Sequence, residues 1–549
     1  MPMSHVIYRQ ILDISFSSRE EALRAQDEIS RVYRHDLLPL INEIFDDLME
    51  EGESIRIESL ELDLGPIPAG ELREELVKRI KKKLEDEFLK KIQNARKVPS
   101  QEDSLLEAIE YGLRDEVTMR SARLSDAELF IYFIKTGRLP WWARKSKFKS
   151  LQELALKLIK DQPDVLRTLL KRQLANPNYS TRLVHQLPDI VLAQLLGLQQ
   201  KGVGDGVLKL HTDLYAIHQH RPLASWNFSN FRLFLWRSAF DHWFFNRDHT
   251  SPGYTFASKK GTAIAKELDL PSSRLLISYM SYLVQKLVGP SGAAVNRKSD
   301  LLRGMRQAVA ELEKRQHVFK TVLLKELLVL LSTAKPPGKD DGYKERTSLK
   351  PASDSQQVTS SQTHSPSEAD PKRHSPARGR ILDDETFDIH NAGLVLLSPF
   401  LNTFFEALGL VQDKAFITPD AAQRAALLLE YAATRNTEVP EYDLILNKLL
   451  CGIDIEEPLP NHIDLGEAEI EEVGNLLGSV VTHWTALKAT SQEGLRKTFL
   501  MKDGILSQEA QGWRLKIERS SVDILVDRLP WSISMIKLPW CKEMLNVEW

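Results

Sequence analysis

The chain has 549 residues, with 73 basic and 76 acidic side chains and a formal net charge of −3, so no global field steers it to nucleic acid or to an anionic membrane. Its two cysteines, Cys451 and Cys541, make neither a metal nor a disulfide signature, which fits a reducing cytoplasm. No basic and apolar leader is seen at the start, so no signal peptide is expected, and the richest apolar stretch, Val322 to Leu331, contains Lys325 and Glu326 and falls far short of the ~20 residues that span a bilayer.

Residues 1–98 are predicted to form a β-α-β-α domain. His5 to Phe16 alternates, with Val6, Tyr8, Leu12, Ile14 and Phe16 as its apolar positions, the period of a strand. Ser17 or Ser18 can cap a helix that carries Glu20 and Glu21 in its first turn and runs on apolar positions Ile29, Val32, Tyr33, Leu37 and Leu40 toward Leu48. Ile55 to Leu64 is predicted as a second strand closed by Gly65-Pro66, and Leu72 to Ile92 as a second helix. Asp63 before the turn is expected to bind turn backbone rather than a metal. Lys78 to Lys83 is followed at once by Glu85, Asp86 and Glu87, the pattern of a solvated helix face rather than a nucleic-acid patch.

Residues 99–333 read as a helical middle region, with patterns at Ala127 to Leu139, Leu151 to Ile159, Val165 to Leu174, Leu183 to Leu198, Phe231 to Phe245 and Val318 to Leu331. Gly137 is a candidate C-cap before Pro140-Trp141-Trp142. The Pro-Asp steps at Asp164 and Asp189 suggest helical hairpins, without a fixed period. Gly202-Val203-Gly204-Asp205-Gly206 follows a helix rather than a strand, the wrong context for phosphate binding, and is read as a flexible loop. His211, His218 and His220 near Asp213, and His242 and His249 near Asp241 and Asp248, match no compact ligand motif, so no metal is assigned.

Residues 334–380 hold six prolines and only Tyr343, Leu349 and Val358 as larger apolar groups, too few to repay ordering, and are predicted to be a flexible linker. The remainder, 381–549, is predicted as a helical region ending in a small Trp-rich α+β module. Ala421 to Ala433 and Leu444 to Cys451 are helical patterns, and Val473, Leu476, Leu477, Val480, Val481, Trp484 and Leu487 lie on one helix stripe. Thr490-Ser491-Gln492-Glu493 fits a capping box, Gly504 a helix stop, and Ile505-Leu506 with Trp513, Leu515 and Ile517 a hairpin. Asp523 and Asp527, beside Arg519 and Arg528, are read as ion-paired rather than catalytic. Five of the ten tryptophans fall between His483 and Trp549, two of them in Leu-Pro-Trp.

The order of motifs at this end is dense. His483-Trp484 leads to Leu487-Lys488, Thr490-Ser491, Glu493-Gly494-Leu495-Arg496 and Phe499-Leu500, then to Gly512-Trp513-x-Leu515-x-x-Glu518. Asp523-x-Leu525-x-Asp527-x-Leu529-Pro530-Trp531-Ser532-Ile533, Lys537-Leu538-Pro539-Trp540 and Val547-Glu548-Trp549 follow. This series closely resembles the tape-measure proteins of extracellular contractile injection systems, phage-tail-like particles with a sheath, tube, spike and baseplate. Ile57 to Gly65, Thr136-Gly137-Arg138-Leu139-Pro140-Trp141-Trp142 and Asn391 to Leu401 resemble further elements of that family.

The resemblance implies a structural protein, without cofactor, that helps set tube and sheath length. Its partners would be inner tube, baseplate or spike, and terminal-cap proteins, met in the cytoplasm during assembly, with retention in the finished particle left open. Tape measures of phage tails are long continuous helices, whereas this chain is broken by Gly, Pro and capping signals, so an assembly chaperone or cap is the alternative. A hydrolase is the third hypothesis, but no nucleophile, base and oxyanion set emerges. Trp141, Trp142, Trp531, Trp540 and Trp549 are the candidate partner contacts; large amphipathic rings serve either a core or an interface, a core role is preferred for the tryptophans in general, and Trp549 is the one favoured as a contact.

Overall fold

A computed structural model describes residues 7, 10–16, 18–48, 53–57, 60–68, 72–97, 117–140, 142–143, 150–245, 271–288, 294–321, 324–333, 386–488, 490–509 and 512–549. The predicted linker and His249 therefore lie outside the described residues. The described chain is mainly helical, with its largest sheet near the C-terminus.

In the N-terminal unit the Ser18 hydroxyl accepts from Glu21 N (3.3 Å) and caps α1, Arg19–Val32, which passes through a π turn into α2, Leu38–Leu48. Ile41 and Ile44 of α2 pack on Leu76, Ile80 and Leu84 of α3, Leu72–Lys97. Strand β1, Glu53–Ile57, pairs antiparallel with β2, Val117–Ser121, a strand not foreseen in the helical middle.

Two expectations fail here. The described positions between His5 and Phe16 form no strand. Beyond Ile57 the alternating Leu60, Leu62 and Leu64 pack against the helical core, while the Leu64 and Pro66 carbonyls accept from Arg79 Nη1 (3.0 and 2.8 Å). Period-two burial is thus met by helix packing, with a guanidinium in place of a ladder. Asp63 Oδ1 accepts from Gly65 N (3.0 Å), as a turn carboxylate should.

The middle lobe is a single helical body: α4 Ala122–Thr136, α5 Leu151–Asp161, α6 Pro163–Gln173, α7 Pro177–Gln186, α8 Asp189–Gly197, α9 Val203–His220 and α10 Phe228–Phe240 are followed by α11 Pro271–Val288, α12 Ala294–Lys314 and α13 Leu324–Thr333. One core runs through it from Ala127 to Leu331. The helix predicted over Leu183 to Leu198 is two, because Pro188 cannot donate to a continuing ladder and instead caps α8. The glycine run read as a loop is the first turn of α9. A Cβ on Gly204 would lie 1.9 Å from the Ala193 carbonyl, so the glycine is there to let α8 and α9 touch. The last helix starts at Leu324 rather than Val318, which is exposed.

The C-terminal lobe has its own core, from Phe387 to Val547. A five-stranded sheet in the order β3 (Thr386–Ile389), β6 (Gly504–Glu509), β7 (Gly512–Ile517), β9 (Leu545–Glu548), β8 (Met535–Ile536) is antiparallel except for the β7–β9 pair, in which Trp513 faces Leu545. The predicted hairpin is β6–β7, with Gly504 opening its first strand rather than stopping a helix. Helices α14 Leu401–Ala407, α15 Pro419–Thr434, α16 Ile445–Leu450, α17 Glu467–His483 and the short α18 Gln492–Leu495 surround it. β4 Val411–Gln412 and β5 Ala415–Phe416 form a small separate hairpin. Ser491, one residue later than the predicted box, accepts from Gly494 N (3.0 Å) to cap α18.

Candidate functional site

Among the C-terminal tryptophans, burial separates core from candidate contact. Trp484 is wholly buried against Phe499 (ring centroids 4.9 Å apart) and donates to the Leu525 carbonyl (3.2 Å). Trp540 is half-buried between Phe405 and Phe416 (5.6 and 5.0 Å), and its indole donates to the Leu450 carbonyl (2.8 Å). Trp531 is half-buried edge-on to Phe400 (5.1 Å), and its buried indole N–H meets no acceptor among the described residues. Trp549 packs half-buried on the same core. Its buried indole N–H, like that of Trp531, meets no acceptor among the described residues. Burial would raise the pKa of Asp523, but its Ser520 N–H and Lys502 partners outweigh that and leave the carboxyl below the usual range. Trp142 is half-buried on the middle core, far along the chain from this group, and Trp141 lies outside the described residues.

Asp523 and Asp527 divide the roles foreseen for them. Asp527 pairs with Arg519 (2.6 Å), while Asp523 caps the turn at Ser520 and pairs with Lys502 (2.9 Å). The lysine partner, across the hairpin, has no signature in local spacing.

Three of the middle histidines, His211, His218 and His220, are held by hydrogen bonds within the lobe. Tyr279 OH spends its proton on the Leu235 carbonyl (2.8 Å), so His211 Nε2–H must donate to Tyr279 (2.7 Å), and His211 Nδ1 is left without a partner. His218 accepts from Leu223 N at Nδ1 and stacks on Phe231 (4.0 Å), and His220 pairs with Glu311 (2.8 Å). Asp213 accepts from Lys320 N and Thr321 N (2.7 and 2.6 Å), tying α9 to the approach to α13. Among the described residues no group of three His, Cys, Asp or Glu side chains is placed to hold a metal ion.

Burial, with Arg232 second, pushes the His211 pKa down to about 3. A second proton would fall on a nitrogen with no acceptor. Between about pH 6.5 and 3 the unfolded chain then binds a proton that the folded chain refuses, so stability falls with falling pH by up to about 1.4 kcal/mol per unit. His211→Gln should flatten the acid side of a melting-temperature profile; an unchanged slope would contradict the assignment.

The feature that sequence reading missed is a buried charged junction between the middle and C-terminal lobes. Arg182 of α7, fully buried, donates to Glu441 Oε2 (3.0 Å) and to the Ile134 and Lys135 carbonyls (2.7 and 2.9 Å), and also to the Glu456 carbonyl. The two α4 carbonyls are C-terminal orphans whose dipole favours a cation. Lys448 Nζ takes the other oxygen of Glu441 (2.6 Å) and the Ile455 carbonyl (2.9 Å). Burial lowers the Lys448 pKa, partly opposed by Glu441. Gln186 donates to the Leu459 carbonyl (2.9 Å) and accepts from Glu441 N (3.2 Å). Arg138 lies over the Phe387 ring (5.2 Å) and within 3.5 Å of Glu456 Oε1. Arg182 and Glu441 are 259 positions apart, so no motif could have announced them.

No described helix is long and apolar enough to cross a membrane. Neither a curated protein nor a solved structure matches the chain. The tryptophan-rich end, the N-terminal unit and the helices between them are nonetheless covered by one match, over residues 4–549: the chain belongs to the contractile injection system tape measure proteins, a structural rather than an enzymatic family.

Proposed function

We propose that the chain helps to set the length of the tube and sheath while a contractile injection particle assembles in the cytoplasm. The observation that carries this reading is the extent of the family match, which takes in both ends and the middle lobe rather than one shared module. Inner tube, baseplate or spike, and terminal-cap proteins are the partners. The N-terminal unit and the tryptophan-rich lobe are the docking ends, with Trp141, Trp142, Trp531, Trp540 and Trp549 as contacts. Trp531 and Trp549 are the strongest of these, since neither indole N–H has an acceptor among the described residues, whereas that of Trp540 is spent on Leu450.

A second reading, an assembly chaperone or cap that measures nothing, is favoured by one observation. The longest described helix has 26 residues, about 39 Å at 1.5 Å per residue, and its neighbours close into compact cores. Mass spectrometry of growing-tube intermediates and of finished particles tests the proposal. A length-setting protein is expected in the intermediates at a fixed copy number per particle. Its absence from growing tubes would overturn the reading.

A further inference from the structure

The middle and C-terminal lobes each close a separate apolar core, and among the described apolar side chains of the C-terminal lobe Tyr442 alone packs against the middle core. What joins them beside it is largely charge and backbone carbonyls. We propose that this junction is a releasable latch: the lobes dock through Arg182 and Gln186 on one side and Glu441, braced within its own lobe by Lys448, on the other, and part as two intact bodies when that set is broken.

Three properties support a latch over a permanent weld. An ion pair taken out of water gains little net stability, because attraction mostly offsets desolvation, and Arg182 and Glu441 stand on opposite sides of the seam, so that pair is exchanged for water on opening. Apolar cores have no such alternative, so the polar seam is the place to part. Second, the set hangs on one carboxylate: Glu441 offers one oxygen to Arg182 and the other to Lys448, with Arg138 close by as a third buried cation. Third, the fit is tight. Gly137, at φ +73°, closes α4, and a Cβ there would lie 2.3 Å from Glu441 Oε1, so the glycine serves both the turn and the docked carboxylate.

The proposal concerns the free chain and does not rest on the length-setting reading. Its test uses the full chain with Glu441→Gln, which strands the cations, and Gly137→Ala, which wedges the seam and leaves every charge in place. Solution scattering, helical circular dichroism and amide hydrogen exchange are read together. Both variants are expected to raise the radius of gyration and to speed exchange at the Glu441 amide, which Gln186 protects, by about tenfold or more, while exchange in both cores and the helical signal hold. Opening that comes only with loss of helix in both lobes would overturn the latch, since the two would then be one cooperative body. So would an unchanged radius and Glu441 amide in both variants.

Discussion

Trp484→Ala is expected to lower the stability of the C-terminal lobe by about 3–5 kcal/mol, the range for removing a large aromatic from a closed core. The ring is fully buried, packs on Phe499 and anchors the end of α17 to the turn at Leu525 through its indole N–H. Truncation therefore leaves a cavity and an unpaired carbonyl together. Amide exchange should rise across the C-terminal lobe and stay near parental in the middle lobe, whose core is separate. A variant that melts like the parent would show that the ring is not a keystone of that core.

Gly393→Ala should be nearly as damaging, at about 3 kcal/mol, the upper end of overpacking penalties. A Cβ there would stand 1.7 Å from the Phe499 carbonyl oxygen and 2.8 Å from Leu500 Cα. Both are backbone atoms, which cannot step aside as a side-chain tip can. The neighbouring Asn391 holds the same segment by donating to Glu430 (2.6 Å) and Asn447 (2.8 Å), so the chain is pinned on one side and crowded on the other. Denaturant melting of the purified variant checks this; a midpoint equal to the parent's would mean the segment shifts freely.

What the sequence made legible was whatever repeats locally. The stripe through Val473, Leu477 and Val480 became α17 because a helix buries every third or fourth residue, and Trp513, Leu515 and Ile517 became β7 because a strand buries every second. The same rule misled at Leu60, Leu62 and Leu64, where alternate burial arises against helices and Arg79 takes the carbonyls. Glycines were ambiguous for a related reason: at Gly204 composition reads as looseness, while the need is for close helix contact. The candidate site was half visible. Tryptophans announce themselves by type, but which of them is core depends on partners such as Phe499 or Leu450 far away in the chain or across the lobe. The charged junction was invisible, because Arg182 and Glu441 look in sequence like any surface arginine and glutamate.

The length-setting reading is tested most directly by particle length. The middle lobe closes one core from Ala127 to Leu331, so deleting single helices there would unfold it rather than shorten it. Residues 334–380, whose sequence has too little apolar content to sustain a core, are the better place to change chain length. Particles assembled with this stretch shortened or extended in steps, and measured by electron microscopy, should change in length in proportion to the residues removed or added. Particles of constant length, differing only in number across every variant that assembles, would contradict length setting and leave the chaperone reading in its place.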